Sequence, residues 1–204
     1  MNLSDKLIPR HTALIVIDIQ NDFCSPDGVM GRKGKDTSGM PALVARLQKL
    51  IAICDRMQIP VLYTQQLYDR SKLNSLQKEQ YDLDGKLITC DVAGDGWKFF
   101  MLDPPADKVY PKYNYNIFSN DQLKNDLAEL GIKTIIATGV STQICVETAI
   151  RNGFDLGYKI VVPEDLVATT SDDPDTQLRT LNLVRKTYGV VSSLEEVSAI
   201  LDSE

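Results

Sequence analysis

Histidine is almost missing from this chain: 204 residues contain one, His11, and none of the four cysteines forms a Cys-x-x-Cys pair. One imidazole leaves little for a transition-metal site or for a histidine general base. The cysteines, at 24, 54, 90 and 145, lack the spacing of a disulfide framework or zinc site, so they read as reduced thiols of a cytoplasmic protein. No apolar run approaches the ~18 residues of a membrane helix. Residues 1–10 have no apolar signal core, so neither a membrane span nor a signal peptide is expected. Basic clusters are missing too. Lys and Arg number 22 against 28 Asp and Glu, a net charge of −6, which argues against nucleic acid or anionic membrane as a partner. Without internal repeats or low-complexity segments, the expectation is a single domain over 1–204.

What is present alternates. Thr12 to Ile19 is apolar until Asp18, as a strand buried on both faces should be. Residues 20–39 read as loop, and Pro41 to Gln58 as a helix with Leu43, Leu47, Leu50, Ile51 and Cys54 on one face. Further strands are expected at 60–65, 108–112, 133–138, 158–162 and 190–191. Ser119 with Gln122 predicts the start of a helix ending before Gly131, and Thr142 to Asn152 a helix stopped by Gly153. Asp173 and Pro174 predict N-cap and first turn of a helix to Tyr188, and Ser193 with Glu196 a capping box for a closing helix. Residues 68–106 are polar and irregular, a stretch expected to be a lid or an oligomerisation insertion. The fold class expected is α/β: a three-layer α/β/α sandwich, Rossmann-like, around a six-stranded parallel sheet.

Ligands of such sheets bind beyond the carboxyl ends of the strands. Asp18, Lys112 and Cys145 all fall at or just after such ends. Cys145 sits at the start of a helix, where the dipole and unpaired N–H groups favour thiolate. A cysteine in an apolar helix is usually a small core residue, an aspartate after a strand usually caps a turn, and a loop lysine is usually solvated. The three together point to chemistry. A thiol attacks a carbonyl carbon and forms a thioester, Asp18 moves the proton, and Lys112 steadies both. Backbone N–H groups in the turn at 140–145 are candidates for the oxyanion hole. Phe23, Trp97, Tyr115 and Phe118 are candidates for an aromatic pocket wall, and Asn21 for a brace of the Asp18 turn. Cys24, Cys54 and Cys90 are expected to be structural.

Three segments carry a resemblance: Ile15 to Phe23 (IVIDIQNDF), Tyr110 to Phe118 (YPKYNYNIF) and Thr138 to Glu147 (TGVSTQICVE). In that order they resemble the isochorismatase-like cysteine hydrolases, over roughly residues 11–192. The resemblance implies an Asp–Lys–Cys triad at Asp18, Lys112 and Cys145, and a cis peptide at Val140–Ser141 that aims the Ser141 and Cys145 N–H groups into the site. The nicotinamidases of the family hold a metal with histidines after the second strand. Tyr63 to Arg70 has Asp69 but no histidine, so no metal and no cofactor are expected. The Lys112-to-Cys145 spacing is similar to that of ureidoacrylate, biuret and N-carbamoylsarcosine hydrolases, and Gln143, a further candidate for substrate binding, stands where the first of these tend to have Asn. The resemblance thus implies a metal-independent amidohydrolase for a small amide or ureido compound, working as a homodimer or homotetramer. The alternatives are an isochorismatase-type or nicotinamidase-type hydrolase, or a catalytically silent binding protein on the same fold.

Overall fold

Thr12–Ile17 (β1) is buried at every position, and its alternate side chains serve two separate cores. Ala13, Ile15 and Ile17 face one, Leu14 and Val16 the other. The computed structural model, which describes residues 2–84 and 88–203, builds outward from this strand. After β1 come two short helical turns, Asn21–Cys24 (α1) and Val29–Arg32 (α2), and then the long helix Met40–Arg56 (α3). Val61–Gln66 (β2), Ser75–Asp84 (α4), Val109–Lys112 (β3), Asp121–Glu129 (α5) and Thr134–Val140 (β4) follow. The chain finishes with Glu147–Asp155 (α6), Lys159–Pro163 (β5), Val167–Ala168 (β6), Thr176–Leu183 (α7), Gly189–Ser192 (β7) and Leu194–Leu201 (α8).

The sheet runs β3-β2-β1-β4-β5-β7, every pairing parallel, with β6 added to the end of β4. Parallel strands need crossovers, and the helices supply them while covering both faces. Leu123 and Leu127 of α5, Ala149 and Ile150 of α6 and Leu181 of α7 pack on the Ile15 face. Leu43, Val44, Leu47, Leu50 and Cys54 of α3, with Val197 and Leu201 of α8, pack on the Leu14 face. The result is the expected α/β/α sandwich, with seven strands among the described residues where six were expected. The extra one, β6, is two residues long, too short to leave a periodic signal.

Other boundaries differ for local reasons. Helix α5 is capped by Asn120, whose side chain accepts from Leu123 N–H, because Ser119 already closes a 3₁₀ turn over Ile117–Ser119. Gly153 lies inside α6, buried against Ile160 and Phe118, and the chain leaves the helix at Gly157, which has φ +90°. Helix α7 begins at Thr176; Asp173 instead accepts the N–H of Asp175 and lets the chain turn before the helix starts. The Ser193–Glu196 capping box is formed. Residues 68–106, read as irregular, contain α4, a 3₁₀ turn at Arg70–Lys72 and a parallel bridge between Tyr68 and Asp91.

The two-sided core sets a stability contrast. Leu47 is fully buried beneath α3, whereas Leu178 on α7 is exposed. Leu47→Ala should cost about 2–5 kcal/mol in urea denaturation, and Leu178→Ala should stay within about 0.5 kcal/mol of the parent protein.

Candidate active site

Three strands end in the site. β1 gives way to Asp18, which takes φ 53°, a left-handed conformation that aspartate tolerates better than most residues. Its backbone N–H reaches back to Thr64 of β2 and its carbonyl accepts from Gln20 N–H. β3 ends at Lys112, whose register partner on β2 is Gln66. β3 is separated from β1 by β2, so the lysine stem has to cross the end of β2 to reach Asp18. β4 ends at Val140. The Val140–Ser141 peptide is cis, and a π-helical turn, Thr142–Val146, then carries Cys145 into α6. Such π turns are frequent at functional sites because they re-aim a side chain out of the regular helical row.

The three side chains meet under near-complete burial: Asp18 is 0% exposed, Lys112 1% and Cys145 6%. Lys112 Nζ lies 2.7 Å from Asp18 Oδ2. It donates to Gln66 Oε1 at 2.8 Å, to the Asn114 carbonyl at 3.1 Å and to Cys145 Sγ at 3.4 Å. Thr64 donates its hydroxyl to Asp18 Oδ1 at 2.8 Å. The ammonium thus has four acceptors for its three protons, and the nearest of them is Asp18 Oδ2. The same carboxylate also acts on the Cys145 thiol, so Asp18 serves both partners.

Burial pushes the Cys145 thiol well above its ordinary range, and the Asp18 carboxylate pushes further in the same direction; Lys112 pulls it back only in part. Burial and the Asp18 carboxylate thus oppose the thiolate that Lys112 and the helix start favour. Burial disfavours the Lys112 ammonium, but Asp18 and Cys145 outweigh that and hold its pKa above the ordinary lysine value. Burial also pushes the Cys24 and Cys54 thiols up to about 12, and Cys90 is raised as well. All four cysteines are free and buried.

Above the sulfur lies a cavity of ≈ 280 Å³. Val140, Ser141, Ile144 and Cys145 form its floor, and Phe23 and Tyr115 line its sides. Trp97 and Phe118, expected in the wall, and Gln143, expected to bind substrate, are not among the lining residues. Phe118 is in the core, stacked on Tyr158 at 5.9 Å. Trp97 contributes its carbonyl, which accepts from Gln20 Nε2 at 2.7 Å. Asn21 braces the loop at 95–98, not the Asp18 turn. The sequence reading missed Gln66, although it is the last residue of β2 and obeys the same carboxyl-end rule. It also missed Leu73, Gln77, Gln80, Tyr81 and Thr89, wall residues drawn from the 68–106 segment.

The isochorismatase domain matches residues 12–196. The chain belongs to the isochorismatase family. Among curated relatives, a ureidoacrylate amidohydrolase RutB from Pseudomonas syringae pv. syringae (strain B728a) is 31% identical, over 94% of this chain and 84% of the relative. Its namesake from Enterobacter sp. (strain 638) is also 31% identical, over 92% and 88%. A cysteine hydrolase structure from Pseudomonas syringae pv. phaseolicola 1448A superposes with a TM-score of 0.82 at 26% identity, covering 97% of this chain and 95% of that one. The nicotinamidase PncA of Bacillus subtilis shares the fold, with a TM-score of 0.70 at 21% identity over 90% and 99% of the two chains.

The electrostatics give a signed expectation for the thiol. In the free protein, thiolate absorbance should appear only at alkaline pH. Asp18→Asn removes a charge that opposes the thiolate and should lower the titration midpoint by about one unit or more, while Lys112→Met should raise it. Ultraviolet difference titration against Cys145→Ala isolates this thiol. A midpoint in Asp18→Asn at or above that of the parent would overturn the assignment of Asp18 as its proton partner.

Proposed function

We infer that the protein hydrolyses the C–N bond of a small amide or ureido compound through a thioester on Cys145, with no metal ion. The observation that carries this reading is the Asp18–Lys112–Cys145 cluster buried beneath a small cavity. It is supported by the curated relatives, which are amidohydrolases acting on ureidoacrylate.

The chemistry follows from the proton inventory. Substrate enters with its carbonyl carbon above Sγ. As the S–C bond forms, the thiol proton passes to Asp18, so thiolate never has to stand alone in a buried site. Charge develops on the carbonyl oxygen, and the N–H groups of Ser141 and Cys145 receive it, a contribution of about 3–4 kcal/mol per donor in a well-studied protease. Asp18, now protonated, gives its proton to the departing nitrogen, and the C–N bond breaks. Water then attacks the thioester, Asp18 takes a water proton, and the thiol leaves protonated. The sum is amide plus water to acid plus amine; for a ureido group it is ammonia plus a carbamate. Lys112 remains an ammonium throughout, which keeps Asp18 a good acid in the first half-reaction and a well-placed base in the second.

Among the described residues, no three His, Cys, Asp or Glu side chains cluster to hold a metal ion. Asp69, where the nicotinamidase metal site would begin, instead caps the turn at Arg70–Lys72 by accepting from Ser71. The proposal also covers a homodimer or homotetramer in the cytoplasm, with 68–106 as lid or contact arm; Tyr115 and Ile144, which line the cavity and are partly exposed, are apolar surface available for it.

An ammonia-release screen over ureidoacrylate, biuret, N-carbamoyl amino acids, nicotinamide and simple amides tests the reading. Turnover is expected on the ureido members, and a protein silent on every compound contradicts it. Cys145→Ala should abolish turnover while leaving the urea midpoint near that of the parent. Asp18→Asn should be nearly as damaging, and the double variant little worse than either, because the two act as one unit. Exhaustive chelation should leave the rate unchanged; loss restored by zinc, iron or manganese would refute the metal-free mechanism.

A further inference from the structure

Asp22 is a charged side chain, 5% exposed, that takes no part in the cluster around Cys145. Its two carboxylate oxygens face two different pieces of chain. Oδ1 accepts the N–H of Val29 at 3.0 Å, and Oδ2 accepts the N–H of Cys90 at 2.6 Å. These partners are 61 residues apart in sequence, and each begins or ends a stretch of cavity wall. Val29 opens α2, which presents Met30 and, just beyond it, Lys33 to the cavity. Cys90 follows Thr89, another lining residue, and precedes the bridge that pairs this segment with Tyr68. Phe23, next to Asp22 itself, is a third lining residue.

The surroundings are fitted to this carboxylate. Cys90 takes φ 58°, a left-handed conformation in which its N–H meets Asp22 while its carbonyl accepts from Tyr68 N–H at 2.8 Å. Tyr68 in turn packs edge-on against Tyr81 of α4, ring centroids 4.9 Å apart, and both rings line the cavity. The Gly96 carbonyl accepts the N–H of Asp22, and a Cβ at Gly96 would lie 2.0 Å from Asp22 Oδ2. The backbone can approach the carboxylate this closely only without a side chain. A buried carboxylate costs free energy unless its oxygens are satisfied, and charge-assisted bonds to backbone N–H groups are among the stronger ones available.

We propose that Asp22 is a positioning residue for substrate binding: one buried carboxylate ties the Met30–Lys33 wall to the Thr89–Tyr68–Tyr81 wall and fixes the width of the cavity over Cys145. The inference depends on this cavity being the substrate site. It assigns Asp22 no contact with the reacting atoms. Its loss should therefore weaken binding and leave the chemical step nearly intact.

Three measurements test it, two of which need no substrate. In the parent protein, hydrogen exchange resolved by residue should show Val29 and Cys90 amides protected far more than Ala93 in the neighbouring turn. Equal exchange at Cys90 and Ala93 means that the tie does not exist, whatever the enzyme turns over. Asp22→Asn sets an amide NH₂ against one of the two backbone N–H groups. In that variant, exchange should rise in 28–33 and 88–92 but not in β4, and N-ethylmaleimide should label Cys145 faster relative to the smaller iodoacetamide. With ureidoacrylate, or whichever ureido compound the parent turns over, KM should rise about tenfold or more, the scale of one charge-assisted hydrogen bond, with kcat within about threefold. A fall in kcat at unchanged KM, or a lower urea midpoint with unaltered exchange, labelling ratio and KM, overturns the proposal. Should Asp22→Asn fail to fold, Asp22→Ser keeps one oxygen acceptor and is read by the same labelling ratio. An inactive parent protein would refute the hydrolase reading and leave the exchange and labelling results standing on their own.

Discussion

A lysine and an aspartate buried together dominate this structure, because neither can be there alone. Desolvating either charge costs several kcal/mol, and only the partner at 2.7 Å and a full set of hydrogen bonds offset it. This explains why so much of the sheet's carboxyl edge is polar and still buried. Thr64, Gln66 and the Asn114 carbonyl are each committed to Lys112 or Asp18. Gln66 is itself fixed by Gln20, whose side chain exchanges hydrogen bonds with the Gln66 backbone on both sides. β1, β2 and β3 are thereby locked at the level of the site, and Cys145 is added from β4 as the fourth piece.

The same burial determines how the thiol can work. A cysteine next to a lysine alone would rest as thiolate. Here Asp18 already neutralises the ammonium charge, and burial together with its carboxylate pushes the thiol pKa up. The arrangement stores a proton at the point where the leaving nitrogen will need one. A standing thiolate would attack readily, but it would leave Asp18 without the proton that amine expulsion requires. An unactivated amide or ureido nitrogen is a poor leaving group, so this second requirement decides the design. Asp18 therefore belongs to both half-reactions, and a histidine is unnecessary.

The sheet, both helical layers and the convergence of Asp18, Lys112 and Cys145 were legible in the sequence. They rest on long apolar runs and on the rule that open α/β sheets bind at carboxyl ends. What was hidden rests on tertiary choices. β6 is two residues whose pairing with β4 no local pattern encodes. Gly153 looked like a helix stop because glycine often is one, yet here it makes room for Ile160 and Phe118. Phe118 looked like a wall residue because it follows the lysine motif, and packing turned it inward against Tyr158. A helix start that favours thiolate can be read from sequence, whereas the depth of burial that pushes the Cys145 thiol up cannot.

These hidden features have a common location. The floor of the cavity is made by the end of β4 and the π turn that follows it, so the sheet's hydrogen bonds fix where it starts. The walls come from α1, α2, α4 and the segments around Tyr68 and Thr89, none of which is a sheet strand. A sheet can hold reacting groups to within a few tenths of an ångström while the loops above it change, which is how one fold serves many substrates. That freedom has a physical cost: a wall built from separate loops has no ladder to fix its spacing. A buried side chain that accepts hydrogen bonds from two such loops supplies the missing constraint. In this protein the position four residues after the catalytic aspartate performs that task, so the segment that delivers the base to the floor also sets the distance between the walls.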